Sequence, residues 1–224
     1  MADDGHPALV RNRRELAEGL FTFSLDPPNA IRGTFHTPGQ YHRLAVDGVG
    51  ESYFALASTP DSPTFEYLAR SGTPVADALV DGVAVSMSGV MGPGFPLDEA
   101  KGHSVLLVAT GTGIAPIRSV IQCVLQRRSQ FVRVQLVYGV RTEAELAFTS
   151  EYATWVNAGI ELHITLSAKQ PGWAGEVGRV QVRLAAVELD DTFTFLCGQT
   201  TMESEVSEIL VKRGLDARRI FINH

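Results

Sequence analysis

The chain has 224 residues, 45% of them hydrophobic and 20% charged, with a formal charge of −6, which suits one large soluble domain or two of about 100 residues each. The acidic balance, with no run of Lys and Arg, excludes a nucleic-acid surface, and the lack of any eighteen-residue apolar run excludes a membrane span. Two cysteines, Cys123 and Cys197, are too few for an iron–sulfur cluster or a disulfide scaffold, and the six histidines show no ligand spacing, so no metal is expected. The opening MADDGHPALV has no basic segment leading into an apolar core, so no signal peptide is read and the expectation is cytoplasmic.

From residue 8 to about 91, short segments rich in β formers are separated by turn residues. Leu20–Leu25 predicts a strand stopped by Asp26-Pro27-Pro28-Asn29; 41–46, 53–57, 65–69 and 83–88 are further strand candidates. This spacing predicts a small antiparallel barrel or sandwich, with a helical turn or two at 75–80. After Gly92-Pro93-Gly94-Phe95-Pro96 the period changes. Apolar runs at 105–109, 132–138, 160–166, 193–196 and 220–222 now alternate with helical patterns. Phe148, Tyr152, Trp155 and Val156 share one face up to Gly159; Val180, Leu184 and Val187 share another. Met202, Val206, Ile209 and Leu210 form the last, with Gly214 as its C-terminal cap. The fold expectation is β followed by α/β: an antiparallel barrel over 1–98, then a five-stranded doubly wound parallel sheet over 99–224.

Ligands of such sheets bind beyond the carboxyl ends of the strands, and the segment 104–125, SVLLVATGTGIAPIRSVIQCVL, has the form such a site needs. A doubly buried strand runs into Thr110-Gly111-Thr112-Gly113. Ile117, Val120, Ile121, Val124 and Leu125 then mark one face of a helix. Glycines let backbone approach a phosphate, and the leading N–H groups and dipole of a helix favour negative charge. Pro116 suits an early helix position, where a missing N–H costs little. The turn is neither G-x-G-x-x-G nor a P-loop. From these residues alone, an anion site and a glycine turn used for tight packing stand equally open.

Taken in order, six segments resemble the ferredoxin–NADP reductase superfamily, closest to its plant and bacterial FAD/NAD(P)-binding oxidoreductases. They are PGQY at 38–41, SYFALAST at 52–59, MGPGFPL at 91–97, VATGTGIAPIRS at 108–119, LVYGVRTEAELAF at 136–148 and FLCGQTTM at 195–202. The resemblance covers nearly the whole chain, from about Pro38 to Asn223. It makes the barrel a flavin-binding domain and the sheet an NAD(P)-binding one.

The resemblance assigns the flavin to Ser52, Tyr53, Phe54, Ala55, Leu56, Ala57 and Ser58, with Phe54 against the isoalloxazine ring. Tyr67, Leu68 and Arg70 follow on the next strand, and Gly72, Thr73, Val75 and Ala76 form the turn that receives the flavin phosphates. Ser52 stands where the family has the arginine that pairs with the FAD diphosphate, and Ala55 where it has a serine near flavin N5. A lost arginine fork removes a bidentate charge-assisted contact; Arg70 is the candidate substitute. For the nucleotide, the resemblance assigns Thr110, Gly111, Thr112, Gly113, Pro116, Gly139, Arg141, Ser167, Lys169, Cys197, Gly198 and Met202. Cys197 is placed near the nicotinamide C4, so Cys197 and Phe54 are the catalytic candidates.

The function so implied is hydride transfer between NAD(P)H and FAD, with FMN a possible occupant and electrons passed to an acceptor, small molecule or protein, that the sequence leaves open. NADH is slightly favoured, because Ser167-Ala168-Lys169 lacks the Ser-Arg pair of NADP-specific members. Terminal His224 is a candidate cover for the second flavin face. Two alternatives share the same residues: a nucleotide-binding subunit or sensor without flavin, and an electron-transfer subunit of a larger complex.

Overall fold

A computed structural model describes residues 5–223; His224 and the first four residues lie outside them. Two six-stranded sheets carry the chain. The first, ordered β4-β3-β6-β1-β2-β5, is built from β1 His6–Ala17, β2 Leu20–Leu25, β3 Tyr41–Val46, β4 Gly50–Ala55, β5 Phe65–Arg70 and β6 Ala84–Met87. All its pairs are antiparallel, and a bridge between Leu56 and Tyr67 joins the end of β4 to β5 and closes the barrel. A short helix, α1 Pro74–Ala78, covers one side. Phe21, Phe23, Phe35, Phe54, Phe65 and Tyr67 fill the interior.

The first strand departs from expectation. In β1 only Ala8 and Val10 are buried, so its sequence carries no apolar alternation, and its ladder to β2 is irregular on either side of Arg14. It is specified by its neighbours: β2, all six residues buried, needs partners on both edges. The fourth strand begins at Gly50, three residues before the expected 53, and ends at Ala55.

The second sheet, ordered β10-β9-β8-β7-β11-β12, is parallel throughout. Its strands are β7 Ser104–Thr110, β8 Val134–Val140, β9 Ile160–Leu166, β10 Glu176–Val177, β11 Thr192–Cys197 and β12 Ile220–Ile222. The expected count of five is therefore one short. The sixth strand is two exposed residues at the edge, too brief to leave a period. Helices α2 Ile114–Gln126, α3 Tyr152–Asn157, α4 Val180–Arg183 and α5 Thr200–Lys212 cover the faces. In α2, Ile117, Val120, Ile121 and Val124 of the expected face are fully buried and Leu125 is partly so, while Ile114 buries with them. Phe148 is not helical: it is buried with positive φ, 60°, before a turn that leads into α3, and Val156 is half exposed. Gly214 at φ 95° follows α5, where a C-cap favours glycine.

The domains share a core. Leu20, Ala57 and Leu68 of the barrel bury with Phe95, Leu97, Ala100, Ile114 and Ile117. Among the described residues no helix is long and apolar enough to cross a membrane, and no cluster of His, Cys, Asp or Glu could hold a metal.

Candidate functional site

Strand register brings the distant segments together. Across the sheet, Cys197 pairs with Ala109, and Thr110, Gly139 and Thr165 form the next row. All lie at the carboxyl ends of their strands, and Cys197, Thr110 and Gly139 face a cleft of about 560 Å³ between the sheet and the barrel. The sheet side of the cleft is formed by Thr110, Gly111, Thr112, Gly113 and Pro116, by Gly139, Arg141 and Ser167, and by Cys197, Gly198 and Met202. The barrel side is formed by Tyr53, Phe54, Ala55, Leu68 and Arg70.

Ten assigned residues do not line it. Leu56 and Tyr67 are barrel core; Ala57 and Ser58 meet α2; Ser52 lies across the ladder from buried Leu44. Gly72, Thr73, Val75 and Ala76 belong to the α1 turn, and Lys169 is exposed outside the lining.

The two glycines of the turn have different causes. Gly111 has φ +53°, a conformation that L side chains rarely adopt, while a Cβ on it would meet nothing closer than the Arg70 guanidinium at 3.8 Å. Gly113 has ordinary helical backbone, φ −59°. There a Cβ would run into the carbonyl of Cys197 and come 2.9 Å from the amide N of Gly198. Gly113 therefore serves close packing of helix on strand end, and Gly111 shapes the turn. Neither Thr110 nor Gly113 caps the helix with a side chain, and the Ile114 N–H is taken by the carbonyls of Gly111 and Thr112, so it is the turn 111–113, leading into a thirteen-residue helix, that borders the cleft without a side-chain acceptor. That is the arrangement that receives an anion. The buried Thr110 hydroxyl, also on the cleft wall, has no protein partner.

Cys197 borders the cleft, yet burial pushes its thiol up to about 12, aided by the nearby carboxylate of Glu203. It is a neutral thiol at physiological pH. Glu203 is itself buried and accepts the Gly198 N–H at 2.9 Å, which fixes the Cys197-Gly198 corner.

On the barrel side, Phe54 turns its ring inward, edge-on to Phe23 at 5.7 Å between centroids, and is 7% exposed. Tyr53 is the open ring, 61% exposed and set edge-on to Tyr41. The reason is the two-residue period of a strand starting at Gly50, which sends alternate side chains outward. Arg70 reaches across the cleft to Glu145 at 3.6 Å, beside Gly111, and not towards α1.

Sequence reasoning missed the residue that joins the domains. Arg118 of α2 is 12% exposed. It donates from Nη1 to the carbonyl of Ala57 and to Glu66, both at 2.9 Å, and from Nε to Glu151 at 2.8 Å. It also lies over the Phe148 ring at 4.6 Å. Ser119 adds a hydroxyl bond to the Ser58 carbonyl at 2.6 Å. Both residues stand in the segment 108–119, but their hydrogen-bond partners are 33 to 61 residues distant, so no local signal named them. Arg179 and Gln181, also on the cleft wall, were missed likewise.

The residues present fit one end of a flavin better than the other. Tyr53, Ala55, Leu68 and Arg70 offer a wall suited to a planar ring. At the α1 turn, however, two of the donors a diphosphate would use are already engaged: Gly72 N–H is held by Asp77 at 2.9 Å and Ala76 N–H by Thr73.

Residues 107–208 match the family model described as the oxidoreductase NAD-binding domain. The chain is 29% identical over 214 residues to sulfhydrogenase 1 subunit gamma of Pyrococcus furiosus, covering 92% of this chain and 73% of that one. It is 30% identical over 190 residues to ferredoxin–NADP reductase B of Sorangium cellulosum, covering 76% and 77%. Among solved structures, a ferredoxin NADP+ reductase from Neisseria gonorrhoeae with bound FAD and NADP superposes with a TM-score of 0.82 at 20% identity, over 98% of both chains. The FAD/NAD-binding domain of nitric oxide dioxygenase from Vibrio cholerae gives 0.84 at 18%, again over 98% of both. At those identities the two structures speak for the fold.

Proposed function

The chain belongs to the ferredoxin–NADP reductase superfamily and is an NAD(P)H-dependent flavin oxidoreductase; from that premise we propose how its own residues divide the work. Residues 1–98 hold the flavin and 99–224 the nucleotide. The observation that carries this reading is the single cleft with Tyr53 and Ala55 on one wall and the uncapped turn 110–113 with Cys197 on the other.

The turn takes the nucleotide diphosphate on its N–H groups, and Arg141 and Arg179 add positive charge along the same wall. Cys197 contributes a compact, neutral surface where the nicotinamide rests. Arg118 and Ser119 hold the strand end 57–58 against α2, which sets the distance between the walls. The flavin, when bound, supplies hydride acceptance and single-electron release; the chain supplies orientation. Phe54 supports this wall from behind, through the barrel core.

Lys169 lies off the cleft wall, which supports NADH over NADPH. Arg179 is the cation that would hold a 2′-phosphate in the opposite case. Titration with both reduced nucleotides tests this: an NADPH affinity much the tighter, abolished by Arg179→Ala, would reverse the preference. Electrons are passed on to a partner, as the names of the relatives suggest: a sulfhydrogenase subunit, a ferredoxin reductase and an electron transfer subunit of dihydroorotate dehydrogenase B. The decisive experiment is the visible spectrum of protein supplied with flavin, before and after anaerobic NADH. Bleaching near 450 nm supports the reading, and a flavin that stays oxidised beside bound nucleotide sinks it.

A second reading, a nucleotide-binding subunit without flavin, draws on Ser52 and the engaged donors at α1. The same spectrum separates the two.

A further inference from the structure

We propose that this chain grips its flavin by the ring alone, so that riboflavin, FMN and FAD bind with similar affinity and exchange with solvent. The inference rests on the flavoenzyme reading above and concerns what holds the phosphate end.

Three observations at the β4–α1 side point the same way. No guanidinium is offered there. Position 52 is serine, Arg43 on the neighbouring strand is ion-paired with Glu51 at 3.4 Å, and Arg70 is turned to Glu145 across the cleft. Second, two of the turn's own donors are spent and a third is missing. Pro74 has no N–H, the Thr73 hydroxyl takes that of Ala76, and the Asp77 carboxylate takes that of Gly72. Asp77 also puts a negative charge where a diphosphate would arrive, and like charges repel. Third, the space is occupied. Val75 is 7% exposed and reaches within 3.7 Å of where a Cβ on Gly50 would stand, so α1 lies directly on β4. A five-residue helix so capped and packed has two of its leading donors engaged from within and keeps few for an anion.

Because the phosphates contribute little, lengthening the ligand from riboflavin to FMN to FAD adds little affinity. The test is equilibrium titration of the flavin-free full chain with each of the three, followed by ligand fluorescence. The expected result is three dissociation constants within about tenfold, since one charge-assisted hydrogen bond alone would separate them by roughly ten- to a hundredfold. FAD bound more than a hundredfold tighter than riboflavin would overturn the inference while leaving the flavoenzyme reading intact. If none of the three bound and NADH still did, both would fall.

Two variants probe the cause. Asp77→Ala removes the charge and frees the Gly72 N–H, and is expected to tighten FMN and FAD several-fold with riboflavin unchanged. Ser52→Arg is expected to tighten FAD about tenfold or more. An equal change for all three ligands in Asp77→Ala, at unaltered Tm, would count against the proposal.

Discussion

Among the glycine turns that lead from a strand into a helix, the one at 110–113 in the sheet and the one at 72–76 in the barrel are finished in opposite ways. At 110–113 the helix behind is thirteen residues long and no side chain caps it. At 72–76 the helix is five residues long, and Thr73 and Asp77 close it off from within. Both turns carry glycine, and both abut a sheet. What distinguishes a receptive turn from a self-satisfied one is therefore not the glycine but the fate of the N–H groups beside it.

Substitutions that break this contrast differ in size. The largest effect is expected for Gly113→Ala, whose Cβ meets backbone of Cys197 and Gly198 that cannot move aside. The cost should exceed about 3 kcal/mol, read as a Tm lowered by about 10 °C together with lost nucleotide binding. Wild-type Tm in the variant would refute the packing role.

On the barrel side the next largest effect follows pH. His42 is fully buried, bonds Tyr67 at 2.9 Å, and burial lowers its pKa from 6.5 to about 4. Below pH 6.5 the unfolded chain takes up a proton that the folded chain refuses, so stability falls from pH 6.5 towards 4 and levels below that. The full loss is about 3 kcal/mol. Denaturant unfolding at pH 7 and 4.5 should show a steeper loss for wild type than for His42→Gln; parallel losses would refute it.

Arg118→Met tests the tie between the turns' domains. It leaves Glu151 with Gln122 and Glu66 with Arg14 at 3.7 Å, each carboxylate about a quarter exposed, so the buried-pair penalty is discounted to about 2 kcal/mol. Flavin reduction should slow more than nucleotide binding weakens, and a denaturation curve that splits into two transitions would show the domains uncoupled. An unchanged reduction rate would make Arg118 merely structural.

Gly72→Ala is the counterpart of the first substitution. Its φ is +98° with nothing within 4 Å of a Cβ, so only backbone strain remains, about 1 kcal/mol, with no loss of nucleotide binding. The smallest effect concerns the cysteines. With Cys197 held up to about 12 and Cys123 to about 11 by burial, neither forms thiolate at pH 8, and iodoacetamide should label neither in the native protein.

Much of this was legible in one dimension. The helix 114–126 follows from Ile117, Val120, Ile121 and Val124, and the parallel sheet from apolar runs long enough to be buried on both faces. What escaped had weak or distant signals. The strand His6–Ala17 buries two of its hydrophobic side chains deeply, so alternation is absent. The register of β4 on β3 decides that Phe54 turns into the barrel and Tyr53 outward, and a one-residue slip exchanges them. Arg118 reads as a surface charge until Glu66 and Glu151, 52 and 33 residues away, fold around it.

By itself, then, the sequence determined the two domain classes, their order, and the strand ends that carry Thr110, Gly139 and Cys197, because periodicity and residue type act locally. Tertiary structure alone decided that Gly113 is there for space and Gly111 for backbone conformation. It also decided that one turn borders the cleft without a side-chain cap while the other engages two of its own donors. Those properties depend on which atoms arrive from elsewhere in the chain, such as the Cys197 carbonyl, or on how a nearby carboxylate, that of Asp77, comes to point.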